Sequence, residues 1–148
     1  MTKINKKYPV ASCIAILSQD NMLFVANRRN KPEELCFPGG KLDPDESIVS
    51  NVCRELKEET GMILNECEII PVYSGFCWPK ADKPDEEPYW CVGFVVKLTQ
   101  PHNEVMKTQG VEDGIEGKWV SLEEFTQKSA FPQYDENLIK AVKMLYDI

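Results

Sequence analysis

Apolar residues near the start of the chain form short runs of the kind found in β-strands. Val10–Leu17 is an apolar run that suits a buried strand, and residues 22–26 form a second short run. Between the two stand Gln19, Asp20 and Asn21, which favour turns. The pattern therefore predicts a β-hairpin.

A pair of glycines follows the next predicted strand. Residues 34–37 have a strand-like composition and lead into Pro38, Gly39 and Gly40. Consecutive glycines allow backbone conformations, and close approaches of other atoms, that side chains would prevent. We expect a sharp loop here.

The pattern changes to helical spacing after the glycines. Asp43 suits an N-cap, Pro44 suits the first helical position, and Glu46 stands where a capping box places its acid. A start one or two residues later is also compatible with the pattern. Gly61 suits the end of the helix. Apolar residues recur between these limits at Ile48, Val49, Val52, Cys53 and Leu56.

The rest of the chain alternates between strand-like and helix-like segments. The pattern predicts strands at residues 68–73, 89–98 and 118–121, a helical turn at 122–127 and an amphipathic helix at 136–146. Residues 78–88 contain three prolines and mostly polar residues, which predicts a loop at an edge of the core.

The composition is that of one ordinary globular domain. The chain has 148 residues, of which 43% are hydrophobic and 28% are charged. No apolar run approaches the roughly 20 residues that a membrane span needs. The formal net charge of -7 argues against extended binding of nucleic acid, which uses a basic face. A small anionic ligand needs local neutralisation by basic residues or divalent cations.

The cysteines indicate a reducing environment. A chain of this size does not need disulfides for stability, and no C-x-x-C spacing occurs. We therefore expect a cytoplasmic protein with buried free thiols at Cys13, Cys36, Cys53, Cys67, Cys77 and Cys91.

Three glutamates share one face of the first predicted helix. At about 100° per residue, Glu55, Glu58 and Glu59 fall within an arc of roughly 100°. Arg54 and Lys57 lie at the sides of this arc, so the carboxylates repel one another unless a cation lies among them. Such a cluster suits Mg²⁺ or Mn²⁺, which bind hard oxygen ligands. A solvated acidic face is the alternative for these residues alone.

The spacing around the glutamates resembles the signature of a known family. Residues 40–62, GKLDPDESIVSNVCRELKEETGM, match the Nudix box G-x5-E-x7-R-E-U-x-E-E-x-G-U, where U is a bulky aliphatic residue. The nine matched positions are Gly40, Glu46, Arg54, Glu55, Leu56, Glu58, Glu59, Gly61 and Met62. The resemblance implies a single α/β domain, an α/β/α sandwich around a mixed β-sheet. It also implies hydrolysis of a nucleoside diphosphate linked to a group X.

The resemblance assigns roles to residues of the box. It implies that Glu58 and Glu59 are the main ligands of Mg²⁺, for which Mn²⁺ can substitute. Glu55 is implied to be a further ligand or the group that takes a proton from water, and Arg54 to orient these carboxylates. Gly39, just before the box, is implied to offer its carbonyl to a metal ion.

Two positions outside this set stay open. Glu46 belongs to the site or caps the helix. A carboxylate far downstream often completes the metal site in the family, and the segment before Trp119 offers Glu112, Asp113 and Glu116. We favour Glu112.

Metal-assisted attack by water agrees with the residues themselves. The chain has no Ser-His-Asp set, because its single histidine, His102, stands in a polar segment that we expect to face solvent. Metal ions would neutralise the phosphates, lower the pKa of a bound water molecule and hold it in line with phosphorus.

Basic residues near the predicted site are candidates for phosphate binding. Arg28 and Arg29 follow the second strand, and Lys41 lies beside the glycine pair. A role in surface solubility is the alternative for each of them.

A candidate for base recognition stands before the last helix. Asp135, in the segment F-P-Q-Y-D, resembles the purine-reading position of the MutT-like nucleoside triphosphate branch. Its alternative role is the N-cap of that helix. Trp78, Tyr89 and Phe131 either stack on a base or pack within the protein.

The resemblance predicts a Mg²⁺-dependent enzyme that converts a nucleoside or deoxynucleoside triphosphate, including oxidised purine nucleotides, to the monophosphate and pyrophosphate. Pro79 lies sixteen residues beyond the box, a spacing similar to that of ADP-ribose-hydrolysing members, so ADP-ribose is the second candidate. Dinucleoside polyphosphates and capped RNA rank next. A nucleotide-binding regulatory module without turnover is the non-enzymatic alternative. We expect a monomer or homodimer.

Overall fold

The computed structural model describes residues 7–80, 83–105 and 115–148. Within these ranges the strands are β1 (Val10–Leu17), β2 (Leu23–Asn27), β3 (Leu35–Cys36), β4 (Gly39–Lys41), β5 (Ile70–Cys77), β6 (Tyr89–Lys97) and β7 (Gly117–Val120). The α-helices are α1 (Ile48–Thr60), α2 (Leu122–Lys128) and α3 (Pro132–Tyr146), and short 3₁₀ turns lie at Glu66–Glu68 and His102–Glu104.

One mixed sheet contains all the described strands. Its order is β3-β2-β1-β6-β5, with β4 paired to β1 and β7 paired to β2. β1 and β6 are parallel along the whole of β1, whereas the other pairs are antiparallel. β1 is therefore the central strand, and β2 and β4 share the edge that β6 leaves open.

The sheet lies between two helix layers. Ile14 and Ile16 of β1 belong to a core cluster with residues of α1. The odd-numbered positions of β1 belong to a second cluster, with residues of α2 and α3. These positions are Ala11, Cys13, Ala15 and Leu17. Because successive strand residues point to opposite faces, α1 covers one face and α2 with α3 covers the other. The predicted α/β/α sandwich around a mixed sheet is confirmed.

The Gly39-Gly40 pair is part of β4 rather than the sharp loop that the sequence predicted. Gly39 and Gly40 pair with Cys13 and Ser12 of β1. A Cβ atom at Gly39 would lie 2.0 Å from the carbonyl oxygen of Ser12, and one at Gly40 would lie 2.5 Å from Oε1 of Glu55. The glycines therefore permit close packing of β4 against β1 and α1.

α1 begins later than its first candidate N-cap suggests. Ser47 is the N-cap, and its hydroxyl accepts a backbone N–H of the first turn. The N-cap role of Asp43 and the helical position of Pro44 are therefore wrong, because Asp45 adopts a positive φ of 65° and turns the chain before the helix. Gly61 ends the helix as predicted, with a φ of 78°.

α3 begins one turn earlier than residues 136–146. Pro132 occupies its first turn, where the missing N–H of proline leaves no helical hydrogen bond unmade. Phe131 is the N-cap, so the N-cap interpretation of Asp135 is wrong. β5 extends past the predicted residues 68–73 to Cys77, which pairs with Tyr89 of β6.

The cysteines agree only in part with the expectation of buried free thiols. All six are free, and Cys13, Cys77 and Cys91 are buried. Burial of the other three is wrong: Cys67 is exposed because it lies in the 3₁₀ turn outside the sheet, and Cys36 and Cys53 are partly buried. His102 is partly exposed and pairs with the carboxylate of Asp20. In the part of the chain that the structure describes, no helix has the length and apolar character needed to cross a membrane.

Asn51 is a fully buried polar residue that joins α1 to the sheet. It accepts a hydrogen bond from the hydroxyl of Ser12. Its amide donates to the carbonyl of Lys41 and to the carboxylate of Glu46, each at 2.9 Å. This one side chain therefore connects α1 with β1, with β4 and with the turn before the helix.

Replacing Asn51 by Leu should destabilise the protein. The substitution leaves the Ser12 hydroxyl and the Lys41 carbonyl without these partners, and each unsatisfied buried group costs about 1–3 kcal/mol. We expect the free energy of unfolding, measured by urea denaturation, to fall by about 2–4 kcal/mol. The exposed Asn103→Ala control should change it by less than about 0.5 kcal/mol. Equal losses in the two variants would contradict this role of Asn51.

Candidate active site

Arg54 lies among the acidic groups that the sequence singles out. Its Nε is 2.6 Å from Oε2 of Glu46, and its terminal nitrogens lie 3.1 Å from Glu55 and 3.0 Å from Glu58. The carboxylate of Asp43 is also 3.1 Å away. A planar guanidinium can bind several carboxylates at once, because its donors point in different directions.

The expectation that Arg54 lies only at the side of the glutamates is therefore wrong. Glu58 stands four residues after Arg54, and this spacing brings the two side chains together on the helix surface. The positive charge of Arg54 reduces the repulsion between Glu55 and Glu58.

Glu46 does not cap α1, because Ser47 is the N-cap, but it joins the turn before the helix to Arg54. Its carboxylate accepts the backbone N–H of Asp43 at 3.1 Å, which stabilises the turn before α1. It also binds Arg54, and this hydrogen bond is the main cause that lowers the pKa of Glu46 to about 2. Glu46 therefore holds Arg54 in place as a stable anion.

Glu55 and Glu58 have different surroundings. The Glu55 side chain lies against Gly40 and is 16% exposed, whereas that of Glu58 is 50% exposed. Burial raises the pKa of Glu55, and the nearby Arg54 opposes this effect. A carboxylate with increased proton affinity therefore lies against β4, which suits a proton acceptor.

A cavity of about 440 Å³ lies beside β4 and brings together residues from distant parts of the chain. Glu55 and Glu58 do not line the cavity. Glu55 does contact Gly40, which is one of the lining residues. Six residues of the predicted site line the cavity, and they are Arg28, Arg29, Gly39, Lys41, Glu59 and Asp135.

The three candidate phosphate-binding residues differ in exposure. The Arg28 side chain is 10% exposed, and its guanidinium lies 2.8 Å from the carboxylate of Glu34. Arg29 and Lys41 are exposed, and Nζ of Lys41 lies 6.0 Å from the centre of the Tyr89 ring. Arg28 is therefore the least exposed of the three.

Asp135 lines the cavity although it is only 4% exposed. It accepts a hydrogen bond from the hydroxyl of Ser129. Burial raises the pKa of Asp135 to about 7, against the opposing effects of Ser129 and of the positive charge of Lys80. Near neutral pH this carboxyl can either donate or accept a hydrogen bond.

The aromatic candidates divide between two places. Tyr89 and Phe131 line the cavity, whereas Trp78 does not. The sequence did not single out Tyr134, whose hydroxyl donates to the carbonyl of Cys91 at 3.1 Å within the cavity wall. Its position directly before Asp135 was the available signal.

Lys80 is a second cavity residue that sequence reasoning missed. Its ammonium group donates to the carbonyl of Ala130, lies 3.5 Å from Glu34 and lies 5.5 Å from the centre of the Phe131 ring. Lys80 stands in the proline-rich segment, where no periodic pattern marks a particular lysine.

Oxygen ligands for a divalent cation are present, but in the described part of the chain they do not form a preorganised metal site. Among the described residues, no three His, Cys, Asp or Glu side chains are arranged to hold a metal ion. Arg54 pairs with Glu55 and Glu58 instead. The donor chemistry fits Mg²⁺ or Mn²⁺, because carboxylate and carbonyl oxygens are their ligands. A cation held by the oxygens of Glu55 and Glu58 that face Arg54 would compete with its guanidinium.

The downstream carboxylate stays a prediction. Glu112 and Asp113 lie outside the described residues. Glu116 is exposed, and its backbone N–H donates to Oδ1 of Asn27 at 2.6 Å. Glu116 does not line the cavity, whereas its neighbour Ile115 does.

A family model described as NUDIX domain matches residues 6–142. The chain therefore belongs to the Nudix hydrolase family, a class of enzymes that act on pyrophosphate bonds. This assignment agrees with the complete box on β4 and α1.

Relatives in the family have different named activities. The chain is 34% identical over 83 residues to an ADP-ribose pyrophosphatase of Methanocaldococcus jannaschii, covering 55% of this chain and 44% of that protein. It is 30% identical over 125 residues to an RNA pyrophosphohydrolase of Pelagibacter ubique, covering 76% of each. It is 32% identical over 125 residues to Phosphatase NudJ of Escherichia coli, covering 84% and 74%. The first match spans less than half of the relative.

Solved structures show the same fold. The E. coli dihydroneopterin triphosphate pyrophosphohydrolase superposes with a TM-score of 0.73 at 14% identity, covering 93% of this chain and 99% of that one. A bifunctional NMN adenylyltransferase/ADP ribose pyrophosphatase from Francisella tularensis, complexed with AMP and a Mn ion, gives a TM-score of 0.69 at 18% identity, covering 97% and 43%.

The free energy of unfolding of the Asp135→Asn variant, compared with that of the wild type at the same pH, should increase as the pH rises. The folded protein keeps the Asp135 proton up to about pH 7, whereas the unfolded chain releases it near its ordinary pKa of about 3.9. The wild type therefore loses stability between these values, whereas the amide of the variant does not titrate. Urea unfolding at pH 5 and pH 8 should show a relative gain of more than about 1 kcal/mol.

The exposed Glu136→Gln variant on the same helix is the matched control for this measurement. Its stability relative to the wild type should change less between the two pH values. A stability difference for Asp135→Asn that is the same at both pH values would contradict the buried, protonated state of Asp135.

Proposed function

We propose that this chain is a divalent-metal-dependent pyrophosphohydrolase that cleaves a nucleoside diphosphate linked to a group X. The first proposed substrate is a nucleoside or deoxynucleoside triphosphate, including oxidised purine nucleotides, which yields the monophosphate and pyrophosphate. The observation that carries the proposal is that Gly39, Glu59, Arg28 and Asp135 line one cavity. Candidate groups for the metal, the phosphates and the base therefore face the same space.

The residues of the box would hold the metal. Glu58, Glu59 and the carbonyl of Gly39 are the proposed ligands, joined by Glu55 or by a downstream acid such as Glu112. A bound Mg²⁺, or Mn²⁺ in its place, neutralises phosphate charge and lowers the pKa of a water molecule. Mn in a structural neighbour supports a divalent cation.

Glu55 and Arg54 act on the water and on the ligands. Glu55 accepts the proton of the attacking water if it is not itself a ligand, and its raised pKa favours proton uptake. Arg54 is a positioning residue, because Glu46 fixes its guanidinium while the other side of the guanidinium contacts Glu55 and Glu58.

The remaining cavity residues bind the nucleotide. Arg28, Arg29 and Lys41 contact phosphate oxygens, and Arg28 is the one that the fold already orients through Glu34. Asp135 contacts the edge of the base, where a carboxyl that carries a proton can donate as well as accept.

ADP-ribose is the second candidate substrate. The relative named ADP-ribose pyrophosphatase and the position of Pro79 favour it. Capped RNA or another RNA 5′ end comes next, and the relative named RNA pyrophosphohydrolase supports it. Dinucleoside polyphosphates rank with capped RNA, because both compounds carry a nucleoside on each side of the phosphates.

We further propose that the protein acts in the cytoplasm, as a monomer or homodimer, on small nucleotides. The six free thiols support a reducing compartment. The formal net charge of -7 supports the absence of extended nucleic-acid binding.

Replacing Glu58 by Gln should abolish turnover, because an amide is a weaker ligand than a carboxylate for a hard cation. With saturating Mg²⁺ we expect kcat to fall at least about 100-fold. Chromatography should resolve the products from nucleoside triphosphates, ADP-ribose, dinucleoside polyphosphates and capped RNA. Glu123→Gln, at an exposed position of α2, is the charge-matched control and should keep the wild-type rate.

Two outcomes would overturn parts of this proposal. Retention of more than about a tenth of the wild-type rate in Glu58→Gln would remove Glu58 from the metal site. Tight nucleotide binding without turnover of any compound by the wild type would favour a regulatory binding module.

A further inference from the structure

A second cavity of about 390 Å³ adjoins the first one. Lys31, Trp78 and Pro79 line the second cavity but not the first. The two cavities have four lining residues in common, and these are Cys77, Lys80, Phe131 and Tyr134. The second cavity therefore lies behind a wall that includes Phe131 and Lys80.

The second cavity adjoins the proposed base end of the first cavity rather than its proposed phosphate end. Gly39, Lys41 and Glu59, at the proposed phosphate and metal end, do not line the second cavity. The shared residues Phe131 and Tyr134 lie four positions and one position before Asp135, the candidate for the base. A group in the second cavity is therefore attached on the nucleoside side of the substrate, away from the phosphates.

Aromatic surface lines the second cavity. Trp78 is 60% exposed, although an indole is among the largest apolar groups that a fold can bury. Its ring centre lies 5.8 Å from that of Phe76, which also lines the cavity. An indole that is 60% exposed offers much of its surface to a flat ligand, and nucleobases stack on such surfaces.

The charges at the boundary between the two cavities suit a phosphodiester. Lys80 lines both cavities and Lys31 lines the second. Glu34 also lines the second cavity and lies 3.5 Å from Lys80, but it is shared with Arg28 at 2.8 Å. Two cationic side chains, Lys31 and Lys80, therefore line the second cavity against the one carboxylate of Glu34.

We propose that the second cavity binds the second nucleotide of an RNA 5′ end, with its base stacked on Trp78 and its linking phosphate near Lys80. This inference rests on the proposed function, and among its candidate substrates it places an RNA 5′ end ahead of the nucleoside triphosphate and ADP-ribose. A nucleoside triphosphate fills only the first cavity. The second ribose of ADP-ribose is attached across the diphosphate, and so it points away from the second cavity. Two nucleotides form a short contact, which is compatible with the acidic net charge.

The test compares an RNA dinucleotide with a 5′-triphosphate against the nucleoside triphosphate that has the same first base. We expect the wild type to have the higher kcat/KM for the dinucleotide. Trp78→Ala should lower the dinucleotide to mononucleotide ratio of kcat/KM about 5- to 100-fold, the effect of one lost base stack. Trp90→Ala is the matched control, because Trp90 is 37% exposed, packs against Phe76 at 5.0 Å and lines neither cavity.

A binding measurement gives a readout that does not depend on turnover. The dinucleotide with a 5′-monophosphate has no pyrophosphate bond, and calorimetric titration measures its affinity. We expect it to bind at least about 5-fold more tightly than the nucleoside monophosphate to the wild type and to Trp90→Ala, but not to Trp78→Ala. Lys80→Gln should weaken binding of the dinucleotide more than Lys143→Gln does, because Lys143 is exposed on α3 and lines neither cavity.

The outcomes separate this inference from the proposed function. Turnover of both triphosphates with the same ratio in Trp78→Ala and wild type would overturn the second subsite and leave the pyrophosphohydrolase intact. Absence of turnover with both triphosphates, together with Trp78-dependent binding of the monophosphorylated dinucleotide, would overturn the proposed activity and support the subsite. Tighter binding of ADP-ribose than of the dinucleotide in a Trp78-dependent manner would assign the cavity to ADP-ribose and overturn the RNA assignment.

Discussion

The close approach of α1 to β4 is the contact on which the candidate site depends. Gly40 has no side chain, and the carboxylate of Glu55 occupies the space that a Cβ atom would need. Asn51 fixes the same approach through hydrogen bonds to β1 and β4. Arg54 lies on α1 between Asn51 and Glu55. Any movement of α1 away from the sheet would therefore also displace the carboxylate partners of Arg54.

The ion pairs of Arg54 give the acidic cluster two properties at once. They stabilise carboxylates that would otherwise repel one another, since the guanidinium lies 3.1 Å from Glu55 and 3.0 Å from Glu58. They also make Arg54 a competitor of any cation that uses the same oxygens. The firm anchor is Glu46, at 2.6 Å, so Arg54 can release the helix carboxylates without losing its own position.

The sequence predicted features that depend on local chemistry. The helix of the box, its end at Gly61 and the sandwich architecture follow from periodicity, one left-handed residue and a motif with fixed spacing. It did not predict that Gly39 and Gly40 form a strand, because their partner is a distant backbone. Nor did it predict the contribution of Lys80 to the cavity, since that depends on how β5, β6 and α3 pack together. The roles of the site residues rest on the motif and stay proposals.

The parallel pairing of β1 with β6 constrains the order in which the protein folds. Val10 lies opposite Trp90, and Leu17 lies opposite Lys97. The central strand therefore pairs with a segment that is synthesised much later. Contacts between such distant segments form slowly, because a long loop must close before they are gained. A nascent chain that has left the ribosome only as far as the box therefore has the acidic helix but lacks the strand that completes the cavity. Until β6 emerges, the edge of β1 that it will cover has unpaired backbone groups, and such an edge can pair with other chains.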